Sequence, residues 1–182
     1  GFHAAAAALA MAGHLEPYRA VLLYGQVLSA LAALAAYALA REVAQKRWAG
    51  VIAAGIVACL AYMPAYYTSW GRYTQLAGLV LLAPLWALSE EIYERPRWDQ
   101  EGRRLAGLAA FLIAGLGLTH YRVLTFYIAY TLCRLGAALI GRRFRASLLI
   151  AGFLALASLG LVAPWVGRLL PVVWEVVPEV YG

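Results

Sequence analysis

Three short polar segments interrupt an otherwise apolar sequence, and each places an arginine beside aromatic side chains. They comprise residues 14–19, 64–75 and 119–122. A guanidinium group binds phosphate through a planar pair of N–H donors, and tyrosine adds a hydroxyl donor and an apolar wall. His120 adds a group that exchanges protons near neutral pH. These residue types predict recognition of a lipid phosphate or pyrophosphate at the membrane interface on the outer, non-cytoplasmic side.

Five residues of these segments are our candidates for substrate binding: Arg72, Tyr73, His120, Tyr121 and Arg122. The two arginines lie in short turns on the side of the membrane where positive charge is otherwise scarce. An ionisable group kept at such a boundary is a candidate functional residue. The alternative is an interfacial belt, in which aromatic rings lie at headgroup depth and arginine extends towards water. The sequence leaves both interpretations open.

The elements that must position these residues are long apolar stretches. Of the 182 residues, 64% are hydrophobic and 13% are charged, and the mean hydropathy is +0.73. Soluble domains are about half apolar and about a quarter charged, whereas a membrane-spanning helix needs about 20 apolar residues. The sequence therefore predicts an all-α protein, a polytopic transmembrane helical bundle that forms a single domain over residues 1–182. Its six predicted spans are residues 18–40, 48–63, 73–89, 105–119, 123–140 and 146–166.

The two ends of the sequence are predicted to lie outside the spans. Residues 1–16 include an alanine-rich stretch that is too short to cross a membrane, so they predict an external interfacial helix. Residues 167–182 are predicted to form an external segment. Residue 1 is glycine and no basic leader precedes the first apolar stretch, so we expect the sequence to be a fragment of a longer protein.

Basic residues are concentrated in alternate loops, which predicts the orientation. Of the 15 lysines and arginines, 10 fall between spans one and two, three and four, or five and six. Four others lie in the intervening segments or at the end: Arg19, Arg72, Arg122 and Arg168. Cytoplasmic loops carry the excess of positive charge. We therefore expect an integral protein of the plasma (inner) membrane with both ends of this chain on the non-cytoplasmic side.

Several other classes of function receive no support from the sequence. The net charge of +6 resides mostly in the loops, and no basic stripe with interleaved aromatics predicts nucleic-acid binding. No glycine-rich phosphate loop, zinc cluster or GxSxG motif is found, so no cofactor is indicated, while a divalent metal requirement and the oligomeric state stay open. Residues 90–104, which mix acids and bases around Pro96, predict a solvated cytoplasmic loop.

Four segments together resemble the membrane core of bacterial GT-C-type glycosyltransferases and of large membrane proteins related to them. The segments are GFHAAAAALA, PYR, AYYTSWGRYTQLAG and LTHYR, and the first resembles the end of the large external loop of such proteins. The resemblance covers essentially the whole chain in pattern. It implies transfer of a sugar from a polyprenyl-phosphate donor to an acceptor at the outer membrane face, with membrane lipid as the surrounding partner.

The same resemblance implies roles for particular residues. Arg72 and Arg122, with Tyr73 and His120, would contact the phosphate of the donor. The catalytic base of such enzymes is an acidic residue in the first external loop, which we expect to lie outside these residues. The outward acidic residues in this sequence are Glu16, Glu175 and Glu179. None of them lies in an Asp-containing motif, so the catalytic residue is not identified.

Two other classes of protein remain as alternatives. A transporter or flippase for a lipid-linked or polar solute would place paired polar groups near the middle of the membrane. Here the span interiors hold few polar residues and no charge at mid-depth, which favours chemistry at the outer surface. A non-catalytic membrane subunit would also suit the missing carboxylate motif.

Overall fold

The computed structural model describes residues 1–95, 98–141 and 143–181, and the side chains of these residues up to position 171. The described ranges form an all-α bundle, which confirms the predicted fold class. Its eight helices are α1 (Phe2–Gly13), α2 (Pro17–Ala44), α3 (Arg47–Cys59), α4 (Ala65–Ser69), α5 (Tyr73–Glu94), α6 (Gln100–Thr119), α7 (Tyr121–Ile140) and α8 (Phe144–Tyr181). Pro96, Arg97 and Arg142, which the sequence assigns to basic loops, lie outside the described residues, as do the side chains of Glu175 and Glu179.

The surface of the bundle is apolar, as expected of a protein dissolved in lipid. Five described helices, α2, α5, α6, α7 and the first 28 residues of α8, are long and apolar enough to cross a membrane. Large apolar side chains point outward from them, and Leu34, Phe111 and Leu156 are 63%, 65% and 72% exposed. Hydrocarbon solvates such a surface, whereas water would oppose it. The chain is therefore an integral membrane protein.

The predicted second span, residues 48–63, is shorter in the structure than the sequence suggests. Helix α3 ends at Cys59 and has 13 residues, a length of about 20 Å against a hydrocarbon thickness of about 30 Å. Pro64 disfavours helical geometry in the residue before it, and the short helix α4 follows. Among the described residues, five helices rather than six therefore reach spanning length.

Two predicted non-helical regions are largely helical. Residues 90–104 were expected to form a solvated loop, but α5 continues to Glu94 and α6 begins at Gln100. The side chain of Asp99 caps α6 by accepting a hydrogen bond of 2.7 Å from the Gly102 N–H, which fixes the start of that helix. At the other end of the chain, α8 continues through the predicted external segment as far as Tyr181.

Two clusters of buried side chains hold the helices together. The larger joins α5, α6, α7 and α8 around Leu85, Ile92, Leu116 and Val123. The smaller joins α1 and α2 to the first turns of α5, and its buried members are Phe2, Ala6, Leu28, Leu76 and Ala77. Because α1 contributes its first residues to this second cluster, the start of α5 is packed on both sides.

Helices α2, α5 and α7 run parallel, so their starts share one end of the bundle. Tyr73, the first residue of α5, packs on Gly25 in the N-terminal third of α2. Val123, near the start of α7, lies against Gly78 of α5. We call this the arginine–aromatic end, defined by residues 18–19, 70–73 and 120–122. The opposite end, where these three helices finish, is called the ion-pair end.

Candidate functional site

A single residue, His120, turns the chain from α6 into α7. Its backbone is extended, with φ −159° and ψ 96°. Its N–H donates to the Leu116 carbonyl over 2.8 Å, and its own carbonyl accepts from the Val123 N–H over 3.0 Å. His120 therefore ends one helix and starts the next, which holds Tyr121 and Arg122 rigidly in the first turn of α7.

The side chains of this turn form a stack. The rings of His120 and Tyr121 are 6.2 Å apart and nearly parallel, at 10°. The Arg122 guanidinium carbon lies 5.8 Å from the Tyr121 ring centre, and its Nε–H donates to the Tyr121 hydroxyl over 3.2 Å. The terminal amino groups of Arg122 stay exposed to a ligand, because the guanidinium is held by its face and by one N–H.

The imidazole of His120 is half-buried against α5. A side chain at Gly78 would lie 3.3 Å from the His120 Cβ, so the glycine allows this close approach. The Nδ1 atom of His120 is buried with no hydrogen-bond partner among the described residues. Burial, followed by the charge of Arg122, lowers the pKa of His120 below its usual value. The ring is consequently neutral at pH 7.

Arg72 occupies the corresponding position at the start of α5. Gly71 adopts φ +65°, which a glycine tolerates readily, and this turn places Arg72 at the N-cap of α5. The guanidinium carbon of Arg72 lies 5.4 Å from the Trp70 ring centre. Arg19, in the first turn of α2, repeats the arrangement, with its guanidinium carbon 5.7 Å from the Tyr18 ring centre.

Unlike the neighbouring Arg72, Tyr73 packs into the interior of the bundle. Its ring stacks on the Phe2 ring with a centroid separation of 5.7 Å and an interplanar angle of 9°. On another side it contacts the backbone of Gly25, and Phe2 in turn contacts Tyr24 at 5.2 Å. Tyr73 therefore serves first to fix the start of α5, and hence the position of Arg72.

The dipoles of α2, α5 and α7 disfavour the positive charges of the arginines at the arginine–aromatic end. Arg19, Arg72 and Arg122 each lie at the N-terminus of a helix, where the helix dipole disfavours a cation by about 0.3–1 kcal/mol. The first turns of α2, α5 and α7 contain no acidic residue, and no side chain caps them by a hydrogen bond. Within the described ranges, no ion pair compensates these three arginines.

Carboxylates instead gather at the ion-pair end, where a solvated loop was predicted from the sequence. Arg95 lies 2.9 Å from Glu91 and 3.1 Å from Glu101. Arg134 of α7 reaches Glu94 of α5 at 2.7 Å, and the Tyr130 hydroxyl donates to Glu90 over 2.8 Å. The signal in the sequence was the spacing of Glu90 and Glu94, which places both on one face of a helix.

The five predicted site residues thus form two groups at one end of the bundle. Arg72 and Tyr73 start α5, whereas His120, Tyr121 and Arg122 start the neighbouring α7. No hydrogen bond or ion pair joins the two groups in the part of the chain that the structure describes. The same part contains no cluster of three or more His, Cys, Asp or Glu side chains suited to a metal ion.

The residues of the arginine–aromatic end can bind an anion, but those that the structure describes there do not include a carboxylate paired with the histidine for acid–base catalysis. Guanidinium groups held on aromatic faces offer N–H donors to phosphate, and a neutral imidazole can accept or donate a hydrogen bond.

Comparison with family models, with curated proteins and with solved structures finds nothing that matches this chain.

Proposed function

We propose that this chain is the membrane core of a GT-C-like glycosyltransferase whose arginine–aromatic end binds the phosphate of a polyprenyl-phosphate sugar donor. The observation that carries the proposal is the placement of Arg72 and Arg122 at helix N-termini that have no acidic residue at the N-cap or in the first turn. Helix dipole and arginine there have the same sign, so an anion gains from both. A phosphate also supplies the acceptor oxygens that a guanidinium prefers.

In the proposed reaction, the arginines act when negative charge develops on the departing lipid phosphate. A base outside these residues removes a proton from the acceptor hydroxyl, whose oxygen attacks the anomeric carbon of the sugar. The bond from that carbon to the lipid phosphate breaks, and the phosphate leaves with the electron pair. Arg72 and Arg122 stabilise the increasing negative charge on the departing phosphate. Neutral His120 completes the polar wall without adding a further positive charge.

The orientation forms part of the proposal. The ion-pair end carries the basic loops, so the positive-inside bias assigns it to the cytoplasm. The arginine–aromatic end then faces the non-cytoplasmic side of the plasma (inner) membrane, as do both ends of the described chain. A donor that presents its phosphate at the outer headgroup level would meet Arg72 and Arg122 there.

Transport remains the alternative function, and the buried polar groups decide our preference between the two. No charged side chain is fully buried among the described residues, and the fully buried polar residues there include Ser89, Ser147 and Ser158. Two of them are hydrogen-bonded within the protein, Ser89 to Tyr127 and Ser158 to backbone carbonyls. Two other buried polar atoms in α5, Trp86 Nε1 and the Tyr93 hydroxyl, have no hydrogen-bond partner among the described residues, but neither group is charged. A solute path would place paired polar or charged groups at mid-depth, so surface chemistry has more support.

The test uses the complete protein reconstituted in phosphatidylcholine vesicles with a polyprenyl-phosphate-linked sugar donor. Arg72→Ala and Arg122→Ala should each lower sugar transfer by about tenfold to a hundredfold, as expected for losing a hydrogen bond to a charged group. Arg103→Ala is the matched control, since Arg103 is an exposed arginine in the first turn of α6 at the opposite end. Unchanged transfer in both test variants would remove these arginines from the mechanism. Donor translocation without transfer would favour the flippase.

A further inference from the structure

The first turn of α1 contacts both the start of α5 and the turn that joins α6 to α7. On one side, the Phe2 ring stacks on the Tyr73 ring with a centroid separation of 5.7 Å. On the other side, a side-chain Cβ at Gly1 would lie 2.6 Å from the Leu118 carbonyl oxygen and 3.0 Å from the Thr119 Cα. The backbone of Gly1 therefore lies directly against the end of α6, beside the His120 turn.

The sequence of α1 explains why its first residues make these contacts. Phe2 and Ala6 are four positions apart, which places them on one face of a helix, and both are 4% exposed. The Phe2 ring also contacts the Tyr24 ring of α2, at 5.2 Å. From Ala7 to Gly13 the helix contains no buried residue. Helix α1 is therefore attached to the bundle by its first two turns.

We infer that Phe2 is a positioning residue, which holds the start of α5 in place relative to the α6–α7 turn so that Arg72 and Arg122 reach one phosphate together. The inference rests on the proposed function for the identity of this ligand. Helices α5 and α7 contact each other directly at Gly78, where a side chain would lie 3.0 Å from Val123. That contact is about 9 Å along α5 from Arg72, so the first turn of α5 depends on α1 and α2 for its position.

The need for a positioning residue follows from the two arginines lying on different helices. Both guanidinium groups can bind one phosphate only if the helix starts keep a fixed separation. Misplacing a binding group by about 1 Å can cost about a hundredfold in rate. The apolar contacts of Phe2 thus bear on catalysis although its side chain touches no reacting atom.

A distance measurement tests this role in the absence of ligand. The complete protein, with its other cysteines replaced with alanine, carries spin labels at Ser69→Cys and Thr125→Cys in phosphatidylcholine nanodiscs. Both positions are exposed, and each lies three residues from one of the two arginines. Phe2→Ala should broaden the distribution of distances between the labels about twofold, because the start of α5 loses the ring that covers it. Met11→Ala is the matched control in the same helix, since Met11 is 78% exposed, and it should give the wild-type distribution.

Gly1→Ala tests the other contact of the turn and leaves the Phe2 ring in place. Its methyl group would overlap the Leu118 carbonyl oxygen, so this variant should also broaden the distribution. Wild-type distributions in both Phe2→Ala and Gly1→Ala would overturn the inference. Equal broadening in Met11→Ala would overturn it as well, because the effect would then belong to any truncation in α1.

Sugar transfer by the same variants separates positioning from a general loss of folded protein. Phe2→Ala should raise the KM for the polyprenyl-phosphate sugar donor about tenfold, because both arginines lose their alignment. Phe2→Leu keeps an apolar side chain over the Tyr73 ring and should stay within about twofold of the wild-type KM. A smaller folded fraction alone would lower the apparent kcat and leave the KM unchanged, and that result would contradict the positioning role.

A combined variant relates Phe2 to the proposed phosphate site. Arg72→Ala should raise the KM less in the Phe2→Ala protein than in the wild type, because both changes act on the same contact. If the distance distribution broadens in Phe2→Ala while Arg72→Ala and Arg122→Ala keep the wild-type KM, the proposed phosphate site fails and the coupling between the helices stands. If the arginine variants raise the KM while Phe2→Ala and Gly1→Ala keep the wild-type distribution, the phosphate site stands and the positioning role fails.

Discussion

The ring of Tyr73 lies against the backbone of Gly25, in the space that a side chain at position 25 would fill. Phe2 covers the ring from another direction in a nearly parallel stack. The start of α5 is therefore held between α1 and α2, and its aromatic residue cannot move aside without breaking one of the two contacts. This packing supports the neighbouring Arg72 at the N-cap of α5.

Replacing Gly25 with alanine should destabilise the bundle. The added methyl group would overlap the Tyr73 ring, and we expect the free energy of unfolding to fall by about 1–3 kcal/mol, as for other overpacked sites. Titration of the detergent-solubilised protein with a denaturing detergent, followed by circular dichroism, measures this change.

The control is Gly55→Ala in α3, where an added Cβ meets nothing within 4 Å. Alanine favours a helix over glycine by about 1 kcal/mol, so this variant should be neutral or slightly more stable. Equal losses of stability in the two variants would contradict the packing argument, because both make the same chemical change.

A buried hydrogen bond links α5 to α7, and a double-mutant cycle measures its contribution to stability. The Ser89 and Tyr127 hydroxyl oxygens are 2.9 Å apart, and the two residues are 0% and 5% exposed. A double-mutant cycle of Ser89→Ala and Tyr127→Phe should give a coupling free energy of about 0.6 kcal/mol and at most about 1.7 kcal/mol, as for other hydrogen bonds between membrane helices. A coupling indistinguishable from zero would mean that each hydroxyl finds another partner when its mate is removed.

The sequence predicted the helices well where hydropathy alone decides them and less well where other forces act. The first predicted span, 18–40, falls within α2, because a long apolar run in lipid must satisfy its backbone as a helix. By contrast, hydropathy could not show that α3 ends at Cys59, since the residues that follow are still apolar. Nor could it show that α8 stays helical beyond residue 166, because helical hydrogen bonding does not require an apolar run.

The candidate site was predictable by residue type but not by contact. The turn at His120 was visible as a short polar interruption, and so was the pairing of arginine with aromatic residues. The stack of Phe2 on Tyr73 was not, because residues 1–16 were predicted as an external interfacial helix with no particular packing partner. The ion pairs of Arg134 with Glu90 and Glu94 join residues 40 or more positions apart, and nothing local in the sequence specifies such a contact.

The protonation of His120 should make the stability of the bundle depend on pH. Burial, then the charge of Arg122, lowers the pKa of His120 in the folded protein, whereas the unfolded chain keeps a value of about 6.5. Between these two values the unfolded state binds more protons, so the free energy of unfolding rises with pH in that window. Lowering the pH from 7.5 to 5.5 should therefore destabilise the wild type.

His120→Asn removes the titrating group and keeps a polar side chain at the turn. The free energy of unfolding of this variant should depend less steeply on pH between 7.5 and 5.5 than that of the wild type. Detergent-induced unfolding at several pH values measures both slopes. A variant with the wild-type slope would assign the pH dependence to other groups, and a wild type that gains stability on acidification would contradict the direction of the pKa change.

The orientation can be tested at the two ends of α3, the helix whose crossing is least assured by its length. Its 13 residues cover about 20 Å, less than the hydrocarbon thickness of about 30 Å, and residues 60–64 after it form turns and a bend. The return of the chain to Tyr73, beside the start of α2, requires such a crossing if α2 itself spans the membrane.

The orientation can be measured with single cysteines at positions 44 and 69. The background is a protein whose Cys59 and Cys133 are replaced with alanine. Ser69→Cys should react with a membrane-impermeant maleimide in intact cells, because it precedes the Trp70–Tyr73 segment on the side assigned to the outer face. Ala44→Cys, at the end of α2, should react only after permeabilisation, because the adjacent basic residues keep that end inside. Labelling of both from outside would contradict the crossing of the membrane by both α2 and α3. The reverse pattern would place Arg72 on the cytoplasmic side, where a donor at the outer face could not reach it.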